Sequence, residues 1–244
     1  MTKMLSSGNC WNITWEGRAD CEHCAIRKND ILADVDIVKY EEYLKPISQY
    51  YYPKNTVIYN EGAKATELYI VRTGLVKLEE TLEDGSARII RLIQKGSIVG
   101  LETFLDHTQT YEQTAITIHD THLCRIPGRI FQQLIKDDDH FFHSVMEQWH
   151  QQLEFSNQIL IQFSTGSLRR RVALLFLLLV DEANDDNLIE INKIPVQDIA
   201  SLTSSTRESV SRVIAEFKRK KLLIKSSPKK LRFDEGLQKE VNNS

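Results

Sequence analysis

Residues 195–221 have the sequence PVQDIASLTSSTRESVSRVIAEFKRKK, and their apolar spacing indicates two helices joined by a tight turn. Pro195 suits the start of a short helix that ends near Leu202. The following Thr-Ser-Ser supplies turn residues and a helix N-cap. A second helix begins at Thr206, and its apolar residues share one face. These residues are Val210, Val213, Ile214 and Phe217. We predict a helix-turn-helix.

The polar face of the second helix carries side chains suited to double-stranded DNA. Arginine can donate two hydrogen bonds to guanine O6 and N7, and glutamate can accept one from cytosine N4. Glu208 and Arg212 are four residues apart, so they share a face and can orient each other. Hydroxyl groups near the turn suit phosphate contacts. The predicted DNA-binding residues are Ser204, Thr206, Arg207, Glu208, Ser211 and Arg212. An ordinary amphipathic helix with a solvated polar face is the alternative.

Positive charge continues beyond this helix. Basic residues flank a predicted β-hairpin that would form a wing, namely Lys225, Lys229, Lys230 and Arg232. Residues 166–244 contain 15 Lys and Arg against 11 Asp and Glu, whereas the rest of the chain contains 16 against 23. A basic C-terminal part beside an acidic N-terminal part favours a polyanionic partner for the former.

The region between Tyr52 and Ile126 has a different pattern. Short apolar stretches alternate with glycine-containing turns such as Thr73-Gly74. Regular short strands of this kind predict an antiparallel β-roll or jelly roll. Before it, residues 31–51 predict one or two short amphipathic helices. Their apolar positions are Ile37, Tyr40, Leu44 and Ile47.

A long helix is predicted from about Asp138 to Phe163. Aspartates stand at its start, where the helix dipole stabilises negative charge. Apolar residues recur along it at nearly heptad spacing, namely Phe142, Val145, Trp149, Ile159 and Phe163. This stripe either packs against the chain's own sheet or forms the seam of a two-helix dimer. We favour the dimer, since proteins that insert one recognition helix into DNA usually pair.

The composition excludes several classes of protein. No apolar run is long enough to span a membrane, and the N-terminal segment lacks the apolar core of a secretion signal. We therefore expect a cytoplasmic protein without a membrane partner. In such a protein, its four cysteines are expected to be free thiols or metal ligands and not to form disulfides. No nucleophile–base pair, phosphate loop or paired-carboxylate site emerges, so we do not expect an enzyme.

Three sets of residues resemble the CRP/FNR superfamily of bacterial regulators. Residues 207–212, RESVSR, are similar to its Arg-Glu-x-x-Ser/Gly-Arg signature. Three segments are similar to its effector-domain β-roll: YNEGA at 59–63, LYIVRTG at 68–74 and KGSIVG at 95–100. The resemblance covers about residues 31–235 and keeps the family's order of parts.

The resemblance implies an α+β protein of several parts. A cysteine-containing segment without strong periodicity (1–30) would precede a cyclic-nucleotide-binding-like jelly roll (31–137). A dimerisation helix (138–165) and a C-terminal winged helix-turn-helix (166–244) would follow. The family also implies a homodimer, a palindromic operator in double-stranded DNA with a TGA-like half-site, and RNA polymerase as a partner.

Two positions depart from the cyclic-AMP branch of this family. That branch has a glutamate directly after the glycine that corresponds to Gly100, and an arginine further along that holds the phosphate. Leu101 and Tyr111 stand at these places. A buried phosphate without its arginine would lose a charge-assisted bidentate contact. We therefore do not expect cyclic AMP as the effector.

The cysteines resemble the oxygen-sensing branch. That branch holds a four-iron, four-sulfur (4Fe-4S) cluster with three N-terminal cysteines and one on the last β-roll strand. Cys21, Cys24 and Cys124 match three of these ligands, and Asp30 stands where the third N-terminal cysteine would fall. The fourth ligand would be Cys10 or Asp30. Two thiols separated by two residues can also bind zinc, or no metal at all.

Haem is the other cofactor that the resemblance offers, with a histidine as axial ligand. The candidates include His119, His122, His140, His143 and His150.

We predict a dimeric DNA-binding regulator that senses oxygen, nitric oxide or redox state through the cluster. The same regulator with haem, another small-molecule effector or no cofactor is the alternative. A protein-interaction module with a degenerate helix-turn-helix is the alternative of another class.

Overall fold

The computed structural model describes residues 13–24, 31–33, 35–83, 85, 87–105, 109–163, 165–179, 189–192, 194–225, 230–233 and 236–242. The chain divides into two compact units, Met1–Ser156 and Asn157–Ser244.

The first unit is built mainly of short strands. Its elements are, in order, β1 (Thr14–Arg18), α1 (Glu41–Leu44), β2 (Ser48–Tyr52), β3 (Val57–Tyr59), β4 (Glu67–Thr73), β5 (Val76–Thr81), β6 (Ala87–Ile93), β7 (Ile98–Val99), α2 (Glu102–Leu105), β8 (Thr114–Thr117), β9 (Thr121–Pro127) and α3 (Gly128–Asp137). The long helix α4 (Asp139–Phe163) begins in this unit and ends in the second.

The strands form two antiparallel sheets, in the orders β1-β2-β9-β4-β7 and β3-β8-β5-β6. Alternation along β4 shows how the five-stranded sheet is covered on both faces. Tyr69 and Val71 point into a core shared with the four-stranded sheet. Leu68 and Ile70 point to the other face, where residues of the helices cover them. The predicted antiparallel β-roll is confirmed.

Two N-terminal predictions need correction. Among the described residues of 31–51, only Glu41–Leu44 forms an α-helix, and β2 occupies Ser48–Tyr52. The tyrosines at 50–52 favour a strand, and β2 pairs with β9 on one side and β1 on the other. The segment without strong periodicity therefore contributes an outer strand to the β-roll.

The predicted long helix begins at Asp139, because Asp138 ends one helix and starts the next. The backbone at Asp138 is extended, and its carboxylate accepts a hydrogen bond from Phe141 N at 3.0 Å. The preceding helix α3 was not predicted. Asp137 belongs to its last turn, where its carboxylate accepts from Gln133 and Tyr43 at 3.0 Å each.

The second unit is a winged helix-turn-helix, as predicted. After the end of α4 come α5 (Leu168–Leu178), β10 (Ile189–Asn192), α6 (Val196–Leu202), α7 (Arg207–Arg219), β11 (Leu223–Lys225), β12 (Lys230–Phe233) and α8 (Gly236–Asn242). The three strands form one antiparallel sheet in the order β10-β12-β11. Helix α8 was not predicted.

Candidate nucleic-acid interface and thiol pocket

The turn between α6 and α7 is fixed by local hydrogen bonds. Thr203 is fully buried, and its Oγ1 donates to Ile199 O at 2.7 Å. Ser204 has a φ of 48°, in the left-handed region that serine rarely adopts. Ser205 N donates to Ala200 O at 2.9 Å, which closes the turn. The start of α7 is therefore set by α6.

Helix α7 is capped by Thr206 and not by the preceding Thr-Ser-Ser. Thr206 has an extended backbone, and its Oγ1 accepts a hydrogen bond from Ser209 N at 3.2 Å. This contact satisfies one of the amides that a helix N-terminus leaves free. Val210, Ile214 and Phe217 are buried on one face, as the periodicity predicts.

The opposite face of α7 is exposed. Five of the six predicted DNA-binding residues lie on or beside α7, and Ser204 lies in the turn. All six are exposed, namely Ser204, Thr206, Arg207, Glu208, Ser211 and Arg212. The structure therefore brings the predicted residues onto one surface around the start of one helix.

Arg212 has a hydrogen-bond partner that the sequence pattern did not predict. Its Nη2 donates to Ser209 Oγ at 3.2 Å, and Ser209 Oγ accepts from Thr206 Oγ1 at 3.0 Å. Within the described part of the chain, no ion pair joins Arg212 to Glu208. The spacing of three residues from Thr206 to Ser209 and from Ser209 to Arg212 was the available signal.

The predicted wing is present as the pair β11 and β12, with Ile224 opposite Arg232. Strand β10 extends the wing on its other side. Lys225, Lys230 and Arg232 lie on these strands, whereas Lys229 lies outside the described residues. The basic residues of the wing therefore follow closely after α7 in the sequence.

Three cysteines line one small pocket in the first unit. Cys124 is buried on β9, where it lies opposite Gln49 of β2 and Ile70 of β4. Cys21 and Cys24 follow β1 and are half-buried. The lining residues are Ala19, Asp20, Cys21, Cys24, Leu32, Ile47, Gln49, Ile70 and Cys124. Thiols from two distant parts of the chain thus meet at one place.

Local hydrogen bonds hold the segment that carries Cys21 and Cys24. Ala19 N donates to Ile47 O at 2.9 Å, which holds the end of β1 to the sheet. Asp20 Oδ1 then accepts from His23 N at 3.1 Å. This backbone hydrogen bond, with the His23 ring beside it, lowers the pKa of the Asp20 carboxyl.

The thiols do not by themselves complete a metal site. Among the described residues, no group of three or more His, Cys, Asp or Glu side chains is arranged to hold a metal ion. Cys10 and Asp30, the two predicted candidates for the fourth ligand, lie outside the described residues. Of the predicted ligands, the structure therefore shows only the three thiols at the pocket.

Around Tyr111, which stands where the cyclic-AMP branch has its phosphate-binding arginine, the space is filled by aromatic rings. Leu101 is fully buried, and the Tyr111 ring stacks on Tyr59 with 3.6 Å between centroids. Tyr111 Oη donates to Glu67 O at 2.6 Å, and burial raises the pKa of Tyr111 to about 12. A Cβ on Gly100 would lie 3.1 Å from Tyr111 Cε1, so the ring is packed closely against this turn.

The five predicted seam residues of α4 do not form one exposed stripe. Val145 is fully buried in the core of the first unit, and Trp149 packs beside that core with Arg91 5.5 Å from its ring centroid. Phe163 is also buried, Ile159 is half-buried and Phe142 is exposed. The large apolar side chains exposed along α4 are Phe142, Leu153, Leu160 and Ile161.

The five candidate haem ligands are scattered. His140, His143 and His150 are exposed on α4, and His119 is half-buried after β8. His122 lies on β9 with its Nδ1 2.8 Å from Glu16 Oε2.

In the described part of the chain, no helix is long and apolar enough to cross a membrane.

Two family models match the chain. A cyclic nucleotide-binding domain matches residues 49–138, and a Crp-like helix-turn-helix domain matches residues 170–233. The transcriptional regulator LdrP of Thermus thermophilus is 29% identical over 175 residues, which cover 70% of this chain and 85% of LdrP. The anaerobic regulatory protein of Bacillus subtilis is 26% identical over 171 residues, which cover 68% and 71% of the two chains.

Solved structures have the same fold. A CRP-family transcriptional regulator of Thermus thermophilus superposes with a TM-score of 0.64 at 28% identity, covering 79% of this chain and 96% of its own. FixK2 of Bradyrhizobium japonicum superposes with a TM-score of 0.68 at 20% identity, covering 80% and 96%.

A β-roll, a long helix and a helix-turn-helix with an exposed polar face define a DNA-binding transcription regulator and not an enzyme. In both of its units the chain is similar to regulators of the CRP/FNR family.

Proposed function

We propose that this regulator is a homodimer that binds a palindromic operator through α7 and senses oxygen, nitric oxide or redox state through an iron–sulfur cluster. It would act in the cytoplasm, together with RNA polymerase. The observation that carries the sensing role is the meeting of Cys21, Cys24 and Cys124 at one pocket.

In this proposal, the exposed face of α7 enters the major groove. Arg207 and Arg212 would donate to guanine, and Glu208 would accept from cytosine, with Ser211 beside them. Ser204 and Thr206 would contact phosphates at the turn. The hydrogen bond from Arg212 to Ser209 supports this role, because it orients the guanidinium and leaves it other N–H donors.

Cys21, Cys24 and Cys124 would hold the cluster, with Cys10 or Asp30 as the fourth ligand. Thiolates are the usual ligands of such clusters, and each binds a different iron atom, so they need not converge on a single ion. When bound, the cluster would supply an oxygen-labile link between the N-terminal segment and β9. The donor chemistry of the three thiols fits this group.

The surroundings of Cys124 support a route from the cluster to α4. Cys124 lies in the same core cluster as Phe131 of α3 and Phe141 and Val145 of α4. A change in how the thiol pocket packs would therefore act directly on the helices that cover this face. Such a link is the two-state element that a switch requires.

We further propose that cyclic AMP is not the effector. Tyr111 stands where the cyclic-AMP branch has its phosphate-binding arginine. Its ring stacks on Tyr59, and its hydroxyl donates a hydrogen bond to the Glu67 backbone carbonyl. We expect calorimetry to show no tight binding of cyclic AMP and DNA affinity to be unchanged by it. Tight binding would contradict this assignment.

The test of the sensing role is the visible absorption spectrum of anaerobically purified protein, with iron and acid-labile sulfide analysis. We expect the broad absorption of an iron–sulfur cluster, which is lost on exposure to air. A Soret band would identify haem instead. If the purified protein contains no iron, a zinc site or metal-free thiols would be the remaining accounts of the three cysteines. A DNA mobility-shift assay tests the operator binding separately, and its failure would favour a protein-interaction module.

A further inference from the structure

One guanidinium joins three helices of the second unit. Arg169 lies in the first turn of α5, and its Nη2 donates to Glu240 Oε1 of α8 at 2.7 Å. Its Nε donates to Glu240 Oε2, and its Nη1 donates to Glu216 Oε1 of α7. Arg169 therefore binds Glu240 in bidentate fashion and still reaches α7, a geometry that only a planar, five-donor side chain allows.

The environment of this network is partly shielded from water. The side chains of Arg169, Glu216 and Glu240 are 24%, 30% and 22% exposed. The guanidinium carbon lies 5.5 Å from the ring centroid of Phe217, which is fully buried. The hydrogen bonds from Arg169 lower the pKa of both carboxyl groups, so both are charged at neutral pH.

Helix α8 is seated firmly enough to serve as an anchor. Leu237 is fully buried, and a Cβ on Gly236 would lie 2.6 Å from Leu222 Cδ2, so α8 begins in close contact with the residue before β11. Arg170 Nε donates to Val241 O at 3.2 Å, which ties the end of α8 to α5.

We propose that Arg169 is a positioning residue for DNA recognition, which holds α7 at a fixed angle by joining it to α5 and α8. Glu216 lies one helical turn after Arg212, so its anchor sets the direction of the exposed face. Hydrogen bonds to base edges weaken steeply with misalignment, so the angle of α7 controls base discrimination more than general DNA affinity. This role rests on the base contacts proposed for α7.

Two of the three residues of this network lie outside the part of the chain that the helix-turn-helix model matches. The Crp-like helix-turn-helix model matches residues 170–233. Arg169 and Glu240 both lie outside those residues, whereas Glu216 lies within them. The two flanking segments of the domain thus meet on the helix that carries its DNA-binding face.

The test compares specific with random DNA. The full-length wild type first selects a duplex from a randomised library, and the affinities for that duplex and for a scrambled duplex are measured with each variant. We expect Arg169→Met and Glu240→Gln to lower the specific-to-random ratio by about three- to thirtyfold, as for residues of one ion-pair network. Arg169→Lys should give a smaller loss. Arg129→Met and Glu112→Gln change the same charges at exposed positions of the first unit and should leave the ratio unchanged.

The charge change in Glu240→Gln separates positioning from simple electrostatics. Removing a negative charge should raise the affinity for any DNA if charge alone matters. The proposal instead requires a lower ratio at every salt concentration, in protein whose circular dichroism is that of the wild type. Wild-type ratios in both Glu240→Gln and Arg169→Lys would overturn the role of Arg169. A wild type that selects no sequence would overturn the base contacts of α7 and this role with them.

Discussion

Arg212 is proposed to contact DNA, and its surroundings restrict the position of its side chain. It is exposed, and a chain of hydroxyl contacts through Ser209 to Thr206 limits where its guanidinium can point. A preoriented side chain loses less conformational entropy when it binds a base.

The first prediction follows from this preorientation. Arg212→Ala should cost about 1–3 kcal/mol of binding free energy on a specific duplex and relax preference at one base pair. Competition binding against duplexes substituted at each position measures both effects. Arg219→Ala removes the same charge from the far end of α7 and serves as the control. An unchanged ratio of specific to random binding in Arg212→Ala would refute the assignment.

Thr206 is predicted to have a separate, measurable role in stability. Thr206→Ala removes the acceptor for Ser209 N and should lower the free energy of unfolding by about 1 kcal/mol. Ser211→Ala deletes a hydroxyl from the exposed face of the same helix and should change stability little. Denaturant unfolding monitored by circular dichroism compares the two variants. Equal stability of the two would show that the cap contributes nothing.

At the scale of elements, helix α4 has apolar side chains of two kinds: some are buried in the core of the first unit, and others are exposed to solvent. Its heptad-like pattern contains both kinds of apolar residue, because a helix that covers a sheet also needs an apolar face. Val145 and Trp149 serve the protomer's core, whereas Leu160 and Ile161 are 69% and 67% exposed. The dimer remains a prediction, and the exposed residues are now the sharper test of it.

We expect Leu160→Glu to weaken the dimer, because it would place a charge where an apolar side chain meets its twin. Sedimentation velocity over a range of protein concentrations measures the shift toward monomer. Gln158→Glu adds the same charge at a neighbouring exposed position of α4 and should shift it less. A dimer of unchanged affinity in Leu160→Glu would place the subunit contact elsewhere.

Local periodicity predicted α6, α7 and the β-roll strands, because the apolar residues of these elements alone decide which face is buried. It failed at Ser48–Tyr52, where pairing with β9, distant in sequence, decides that a strand forms. It also missed Ser209, since a serine on a helix surface carries no signal until its neighbours are placed. The aromatic filling around Tyr111 likewise depends on Tyr59, which only the fold brings near.

At the scale of the whole molecule, the cysteine pocket ties the N-terminal segment to the core that α3 and α4 cover. We expect Cys21→Ser, Cys24→Ser and Cys124→Ser each to lower the iron content of anaerobically reconstituted protein. Comparing Cys10→Ser with Asp30→Ala should identify the fourth ligand, and a carboxylate would hold the soft cluster less firmly than a thiolate.

Ser7→Ala changes a residue three positions before Cys10 in the sequence without removing a thiol and is the control for these variants. Wild-type iron content in all three pocket variants would exclude the cluster. A metal-free thiol pocket would then be the better account of the same three side chains.

Strand β1 has a consequence for solubility that is independent of sensing. It forms one edge of the five-stranded sheet, and its Glu16 and Arg18 put charge on that edge while the register slips between Trp15 and Gly17. Charges and irregular pairing are the devices that keep a sheet edge from adding strands of other molecules. Its neighbour in the sheet is β2 (Ser48–Tyr52), an uncharged segment with three consecutive tyrosines. A chain shortened past Arg18 would expose that segment as the new edge, and we expect such a chain to aggregate through strand addition.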